Sequence, residues 1–493
     1  MVRTRFLSCL LIFLAGCTQE SQVVSSSFNE PLVGTLISIE PTHLETITIV
    51  EEQVLVLTLE DAIQRALVAN RGLIASEDRV DSSRLSLVAA RSQFELKFRP
   101  SANVGLGKHS SSGTNEQYGA GLRIDKRFET GTSVSLTPRL DKVSGGYQSG
   151  VDVSLSQPLL LGTDREYNTA AVDSAEFSAR SAKRSLFLTK VNTLVYTVVL
   201  VYRVVQQREL VALNTESTSR LEILVAGTRA KEKIGLATSI DTLRGELQFR
   251  HAQDTLVSAT EAYGDALDDL RVQLSLPMDQ ELEVEAPLVY DLFEIGENEA
   301  VQIAMTNRIE LIQAADNYEE SQRFSRIAKH RTLPSLDLVF GYSQAGVNEN
   351  LLNNFGLDDH VWNVNLVTGS DFARTAENAA YEQSVLGIRS AKRSLELQRD
   401  DIARQVKRDF RNLRRAQKRI TIQEEQINNS KKQMRLAKIK FDHGLANNFD
   451  IVEAESDLRQ AETKLVTSVV DYIVGTYQIR QSLGTMVQES GGI

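Results

Sequence analysis

The sequence is short of cysteine, proline, aromatic residues and long apolar runs, and each shortage removes a class of protein. Two cysteines in 493 residues, Cys9 and Cys17, supply neither a disulfide framework nor a cysteine-ligated zinc site. Past the N-terminus no stretch approaches the ~18 uncharged apolar residues of a spanning helix, which argues against a polytopic helical membrane protein. A net charge of −10 argues against a general nucleic-acid binder, so no nucleic-acid partner is expected. The six histidines, at 43, 109, 251, 330, 360 and 443, are scattered, contain no His-x-x-x-His pair and read as surface residues. There is no Walker loop, no glycine fingerprint opening a helix and no Gly-x-Ser-x-Gly elbow. The sequence therefore predicts no enzyme, with no catalytic residue, no metal site and no cofactor.

The N-terminus reads as an export signal. Arg3 and Arg5 precede an apolar run from Phe6 to Ala15, which is too short for a membrane anchor. The run ends in Leu14-Ala15-Gly16-Cys17, which resembles the bacterial lipoprotein lipobox. That resemblance implies removal of residues 1–16 and lipidation of Cys17. Thr18, where aspartate would imply inner-membrane retention, points to the outer membrane. Residues 17–56, with Ser25-Ser26-Ser27, Pro31 and Pro41, read as a lipidated tether.

What the chain does contain is periodic. The eight prolines leave residues 159–276 and 335–493 free of proline. Proline costs about 3 kcal/mol inside a helix, so its absence permits very long helices. Val406, Leu413, Ile420, Ile427, Met434 and Phe441 recur every seven residues, the spacing of a left-handed supercoil. A helix over 372–441 would span about 100 Å at ~1.5 Å per residue. Valine-rich Leu194 to Val205 is ambiguous by propensity and is assigned to helix by its surroundings. Elsewhere the period is two: Ala102, Val104 and Leu106 alternate with polar residues, as do Val151, Val153 and Leu155, and Trp362, Val364 and Leu366. Leu122, Ile124, Phe128, Val134 and Leu136 read as an added hairpin around Glu129-Thr130-Gly131-Thr132.

The chain is an internal duplication. Ala62-Ile63-Gln64 recurs as Ala300-Val301-Gln302, Pro100-Ser101 as Pro334-Ser335, and Gly162-Thr163-Asp164 as Gly369-Ser370-Asp371. Gly235-Leu236-Ala237-x-x-x-Asp241 recurs as Gly444-Leu445-Ala446-x-x-x-Asp450. Each repeat reads helix, strand insert, very long helix, glycine turn, returning helix. The expected divisions are 57–286 with an insert near 100–161, 287–486 with an insert near 334–368, and a tail at 487–493.

The opening Leu57-Thr58-Leu59-Glu60-Asp61-Ala62-Ile63-Gln64-Arg65-Ala66-Leu67 resembles TolC-like outer-membrane efflux proteins. So do Gln157-Pro158-Leu159-Leu160 and the restart from Phe441-Asp442-His443-Gly444 to Asp450, continuing through Glu453, Ala454 and Glu455. The resemblance implies a mainly α fold with β inserts. Very long antiparallel helices would form a periplasmic α-barrel, and the strands would join a shared transmembrane β-barrel. It also implies a homotrimer in outer-membrane lipid that works with a periplasmic adaptor, or membrane fusion protein, and an inner-membrane transporter. Physics supports one part independently. One chain offers four to six strands, spanning barrels start at about eight, and an open sheet edge cannot sit in hydrocarbon.

The resemblance also suggests site residues. Asp450 and Glu453, one helical turn apart, would line a constriction as stacked acidic rings; the bland alternative is a polar helix start. Asp241 matches an acidic latch position, but the latch arginine is replaced by Ala446 and the latch tyrosine by Phe441. Gly235, Leu236, Ala237, Gly444, Leu445 and Ala446 would be adaptor-docking tips, or simply turns. Gly369 lacks the upstream Pro-Leu found before Gly162, so the second strand-to-helix turn is expected to differ. Between Arg389 and Arg419 lie twelve basic and four acidic residues, read as a solvated surface rather than a polyanion site because a single aromatic, Phe410, interleaves. The competing functional reading is a non-channel periplasmic coiled-coil structural lipoprotein, which would not explain the alternating inserts.

Overall fold

The computed structural model describes residues 54–109, 113–143, 146–348 and 359–486. The signal segment, Cys17 and the 487–493 tail lie outside the described residues. After the short β1 (Leu55–Thr58), α1 (Leu59–Ala69) and α2 (Arg71–Arg91) lead into β2 (Lys97–His109), β3 (Gly113–Arg127), β4 (Ser133–Val143) and β5 (Gly146–Pro158). A single turn, α3 (Arg165–Asn168), precedes the 64-residue α4 (Ala170–Lys233) and the 35-residue α5 (Ser239–Gln273). Then β6 (Leu282–Glu285) pairs in parallel with β1. The second half repeats the order with α6 (Glu297–Asn307), α7 (Ile309–Arg331), β7 (Leu336–Asn348) and β8 (Asp359–Thr368). It ends in the 68-residue α8 (Thr375–Asp442) and the 36-residue α9 (Asn448–Leu483).

At ~1.5 Å per residue α8 is about 100 Å long. Its seven-residue seam is buried as the spacing requires: Val406, Leu413 and Ile420 are in the core, and Met434 and Phe441 pack beside Ala437, Ile451 and Ala454. Leu413 meets Gly475 of α9, where an added Cβ would lie 3.1 Å from its Cδ1. Val198, Leu200, Val201, Val204 and Val205 of α4 pack with Ala266, Leu270, Val470 and Ile473. α4 holds a window with a mean hydropathy of 1.5, long and apolar enough by composition to cross a membrane. Its valines lie in the core because α1, α5 and α9 cover them.

Toward the strands, α4 packs on α2 and α7, and α7 on α8; toward the glycine turns the order is α5, α4, α9, α8. The six long strands form one antiparallel sheet in the order β2-β3-β4-β5-β7-β8. The ladder between β3 and β4 is interrupted opposite Pro138, which has no N–H to donate. The β3–β4 hairpin closes at the expected turn, where the Phe128 N–H donates to the Thr132 carbonyl at 2.9 Å. Gly131 takes φ +83°, and a Cβ there would strike Pro158 and Asn168. The hairpin is fastened to the helices by Arg165–Glu129 (2.7 Å) and Arg127–Asn168 (3.3 Å).

Candidate channel-forming site

The repeated Gly-Leu-Ala-x-x-x-Asp motif is a helix stop followed by a helix start. Gly235 (φ +77°) and Gly444 (φ +73°) take the left-handed conformation that glycine reaches without a side-chain penalty. The Leu236 N–H donates to the Lys231 carbonyl and the Leu445 N–H to the Lys440 carbonyl, both at 2.8 Å. These bonds close the helix ends. Thr238 and Asn447 then cap the returning helices. Asp241 and Asp450 complete the capping boxes by accepting the cap residue's own N–H, at 3.2 Å in each. Each acid thus has a helix-starting task. Asp450 and Glu453 are both exposed, whereas Asp241 is half-buried. Leu236 and Leu445 stand 73% and 79% exposed at the turns, with Ala237 and Ala446 half-buried beside them.

Beside the turns the two helical hairpins are clipped together by residues that sequence reasoning missed. Lys231 Nζ donates to the Phe441 carbonyl at 2.9 Å and lies 3.6 Å from the centre of the Phe441 ring. Asn448 is buried and donates to the Asp241 carbonyl at 2.8 Å, packed against Gly245. Phe441 and Asp241, two of the three positions the resemblance assigns to a latch, are therefore held within one chain by a lysine and an asparagine. The Asp241 carboxylate takes no part in this clip.

Higher on the same helices sits a charged cluster. Glu455, 2% exposed, accepts from Arg220 Nε at 2.8 and 2.9 Å, and Arg220 also reaches Glu216 at 2.5 Å. Burial pushes the Glu462 carboxyl above its usual range, against the opposing pull of Arg220 and Lys431. The sequence held a signal for Glu455: it interrupts the apolar helix face of Ile451, Ala454 and Leu458. His330 also departs from the surface reading. Half-buried, its Nε2 accepts the Gly162 N–H at 2.9 Å at the first strand-to-helix turn. The second such turn does differ: Ser335 bonds Gly369, and the left-handed residue is Arg374 (φ +48°). Along Arg411–Arg419, Arg414, Arg415, Lys418 and Arg419 are exposed, as a solvated surface requires.

The sheet separates its chemistry by row. Phe98, Ile124, Leu136, Val153, Tyr342 and Trp362 are registered partners, one from each strand. The adjacent row is Lys97, Asp125, Ser135, Ser154, Gly341 and Asn363. Because successive side chains point to opposite faces, one face is apolar and the other polar. The polar face carries the ion pairs Arg99–Asp125 (3.4 Å), Arg123–Asp125 (2.8 Å) and Arg139–Asp152 (3.4 Å).

Residues 300–485 match the outer membrane efflux protein family. The resemblance read from the sequence is borne out. The CmeC outer-membrane channel of Campylobacter jejuni is similar with a TM-score of 0.69 at 14% identity, covering 95% of this chain and 96% of that one. VceC, an outer-membrane protein of Vibrio cholerae, gives 0.68 at 13% identity, covering 86% and 96%. The open state of the MtrE channel of Neisseria gonorrhoeae gives 0.65 at 16% identity, covering 86% and 88%. No curated protein matches the chain at a significant level. The fold is therefore the efflux-channel fold, mainly helical, duplicated, with strand inserts.

Proposed function

We propose that the chain is the outer-membrane channel of a tripartite efflux or secretion system, a homotrimer sharing one β-barrel and one helical tunnel. One observation carries this reading: a six-stranded sheet with an apolar face, a polar face and two edges, β2 and β8, that no strand among the described residues pairs. Such a sheet enters hydrocarbon only when its edges are paired, so several copies are required. The number three follows the family. A non-channel coiled-coil scaffold would leave the apolar face without a partner. In this reading Cys17 carries lipid and the helices extend into the periplasm. The turns at Gly235-Leu236-Ala237 and Gly444-Leu445-Ala446 meet the periplasmic adaptor through exposed Leu236 and Leu445, and the inner-membrane transporter loads the tunnel.

Asp450 and Glu453, with Asp241 nearby, form the acidic constriction. The test is ion selectivity in planar bilayers of wild type and the Asp450→Asn/Glu453→Gln double variant. Asparagine keeps an acceptor for the Asn447 N–H, so the helix start survives. Wild type is expected to prefer cations and to be blocked by multivalent cations, with both properties weakened in the variant. Unchanged selectivity and block would remove these carboxylates from the pore.

A further inference from the structure

We infer that the inserted hairpin β3–β4 is part of the membrane wall, so that three copies close a barrel of eighteen strands. The inference rests on the trimeric channel reading. The hairpin lies inside the sheet, between β2 and β5, with ladders on both sides. Its strands are 15 and 11 residues long, against 13 and 10 for β7 and β8, and a tilted spanning strand needs about 9–11. Its side chains also keep the parity of the wall. Ile124 and Leu136 continue the apolar row from Phe98 to Trp362, while Asp125 and Ser135 continue the polar one.

A hairpin folded outside the wall would forfeit both ladders. It would also separate Asp125 of β3 from Arg99 of β2, or turn those charges to lipid. Lining the lumen, they pair with one another and with water. Strands spaced about 4.8 Å apart and tilted about 40° give a backbone diameter of about 24 Å for twelve strands and about 36 Å for eighteen. The outer end is then too wide to sieve small solutes. Size selection falls to the helical end, and bulkier substrates pass the barrel.

The chain's one tryptophan makes the test direct. Full-length protein is reconstituted in vesicles of brominated phosphatidylcholine, and tryptophan fluorescence is compared with that in unbrominated vesicles. Trp362 is expected to be strongly quenched. Leu136→Trp in a Trp362→Phe background lies in the same row and is expected to be quenched within twofold of that level. Thr137→Trp in the same background faces the lumen and is expected to be several-fold less quenched. Quenched Trp362 with unquenched Leu136→Trp would overturn the eighteen-stranded wall and leave the channel reading intact. Unquenched Trp362 would overturn the membrane-barrel reading itself. Independently, deleting residues 110–145 leaves β2 and β5 antiparallel and is expected to shrink the barrel ring in particle images by about a third. An unchanged ring would overturn the inference.

Discussion

Glu462 sits where ionisation is resisted. One of its carboxylate oxygens is buried with no hydrogen-bond partner among the described residues, and Arg220 beside it is already committed to Glu455 and Glu216. Burial raises its pKa in the folded protein. A raised carboxyl pKa adds stability below the unfolded value of about 4.3, and that stability is lost as pH rises through the folded value. Glu462→Gln should therefore flatten this part of the pH profile and raise the thermal midpoint near pH 8. The gain should stay below about 1 kcal/mol, because the group is partly hydrated. Thermal unfolding in detergent between pH 4.5 and 8 checks this, and a lower midpoint for the glutamine variant at pH 8 would refute it. At this scale the sequence revealed what is local. Gly235 and Asp241, or Gly444 and Asp450, stop and start a helix within seven residues, so spacing alone exposes them. Lys231–Phe441 and Arg220–Glu455 join residues more than 200 positions apart, and no local pattern announces such pairs.

Among elements, the long helices were readable because the seam from Val406 to Phe441 states its period directly. The strand hairpin was readable as a hairpin, but its place between β2 and β5 depends on non-local ladders. The helices also carry a charge pattern with a mechanical meaning. Arg414 and Lys418 are exposed on α8, on the side away from the buried Leu413 and Ile420, and Glu261 and Asp265 are exposed on α5. α5 and α8 are the flanking helices of the order α5, α4, α9, α8, so a neighbouring copy would bring them together. Counted from the turns at ~1.5 Å per residue, the acids stand about 33–39 Å up and the bases about 36–42 Å. Arg414→Glu/Lys418→Glu should lower the trimer fraction several-fold at low salt, and adding Glu261→Lys/Asp265→Lys should restore it. Each exposed pair is worth about 0.2–1 kcal/mol and is screened by salt. Native mass measurement at two ionic strengths checks this, and no rescue by the compensating pair would separate these flanks.

At the scale of the whole molecule, the duplication was legible from four ordered matches, and the resemblance to efflux channels was carried by residues such as Gln157-Pro158-Leu159-Leu160. Copy number and wall size were not, because they depend on edges that meet only in an assembly. Those edges, β2 and β8, have a kinetic consequence. A chain that closes its own barrel can insert by a first-order process, whereas in the proposed trimeric channel this chain must find its neighbours before its backbone groups can leave water. Its insertion should therefore have a reaction order above one. Denatured protein diluted into vesicles should insert faster as its concentration rises, until aggregation through the same exposed edges takes over and the yield falls. Time courses of protease protection across a range of protein concentrations measure the order. A half-time independent of concentration would mean that one chain seals itself. On this account the bare edges that make the channel possible also set a narrow window of chain supply, with too few copies stranded uninserted and too many lost to one another.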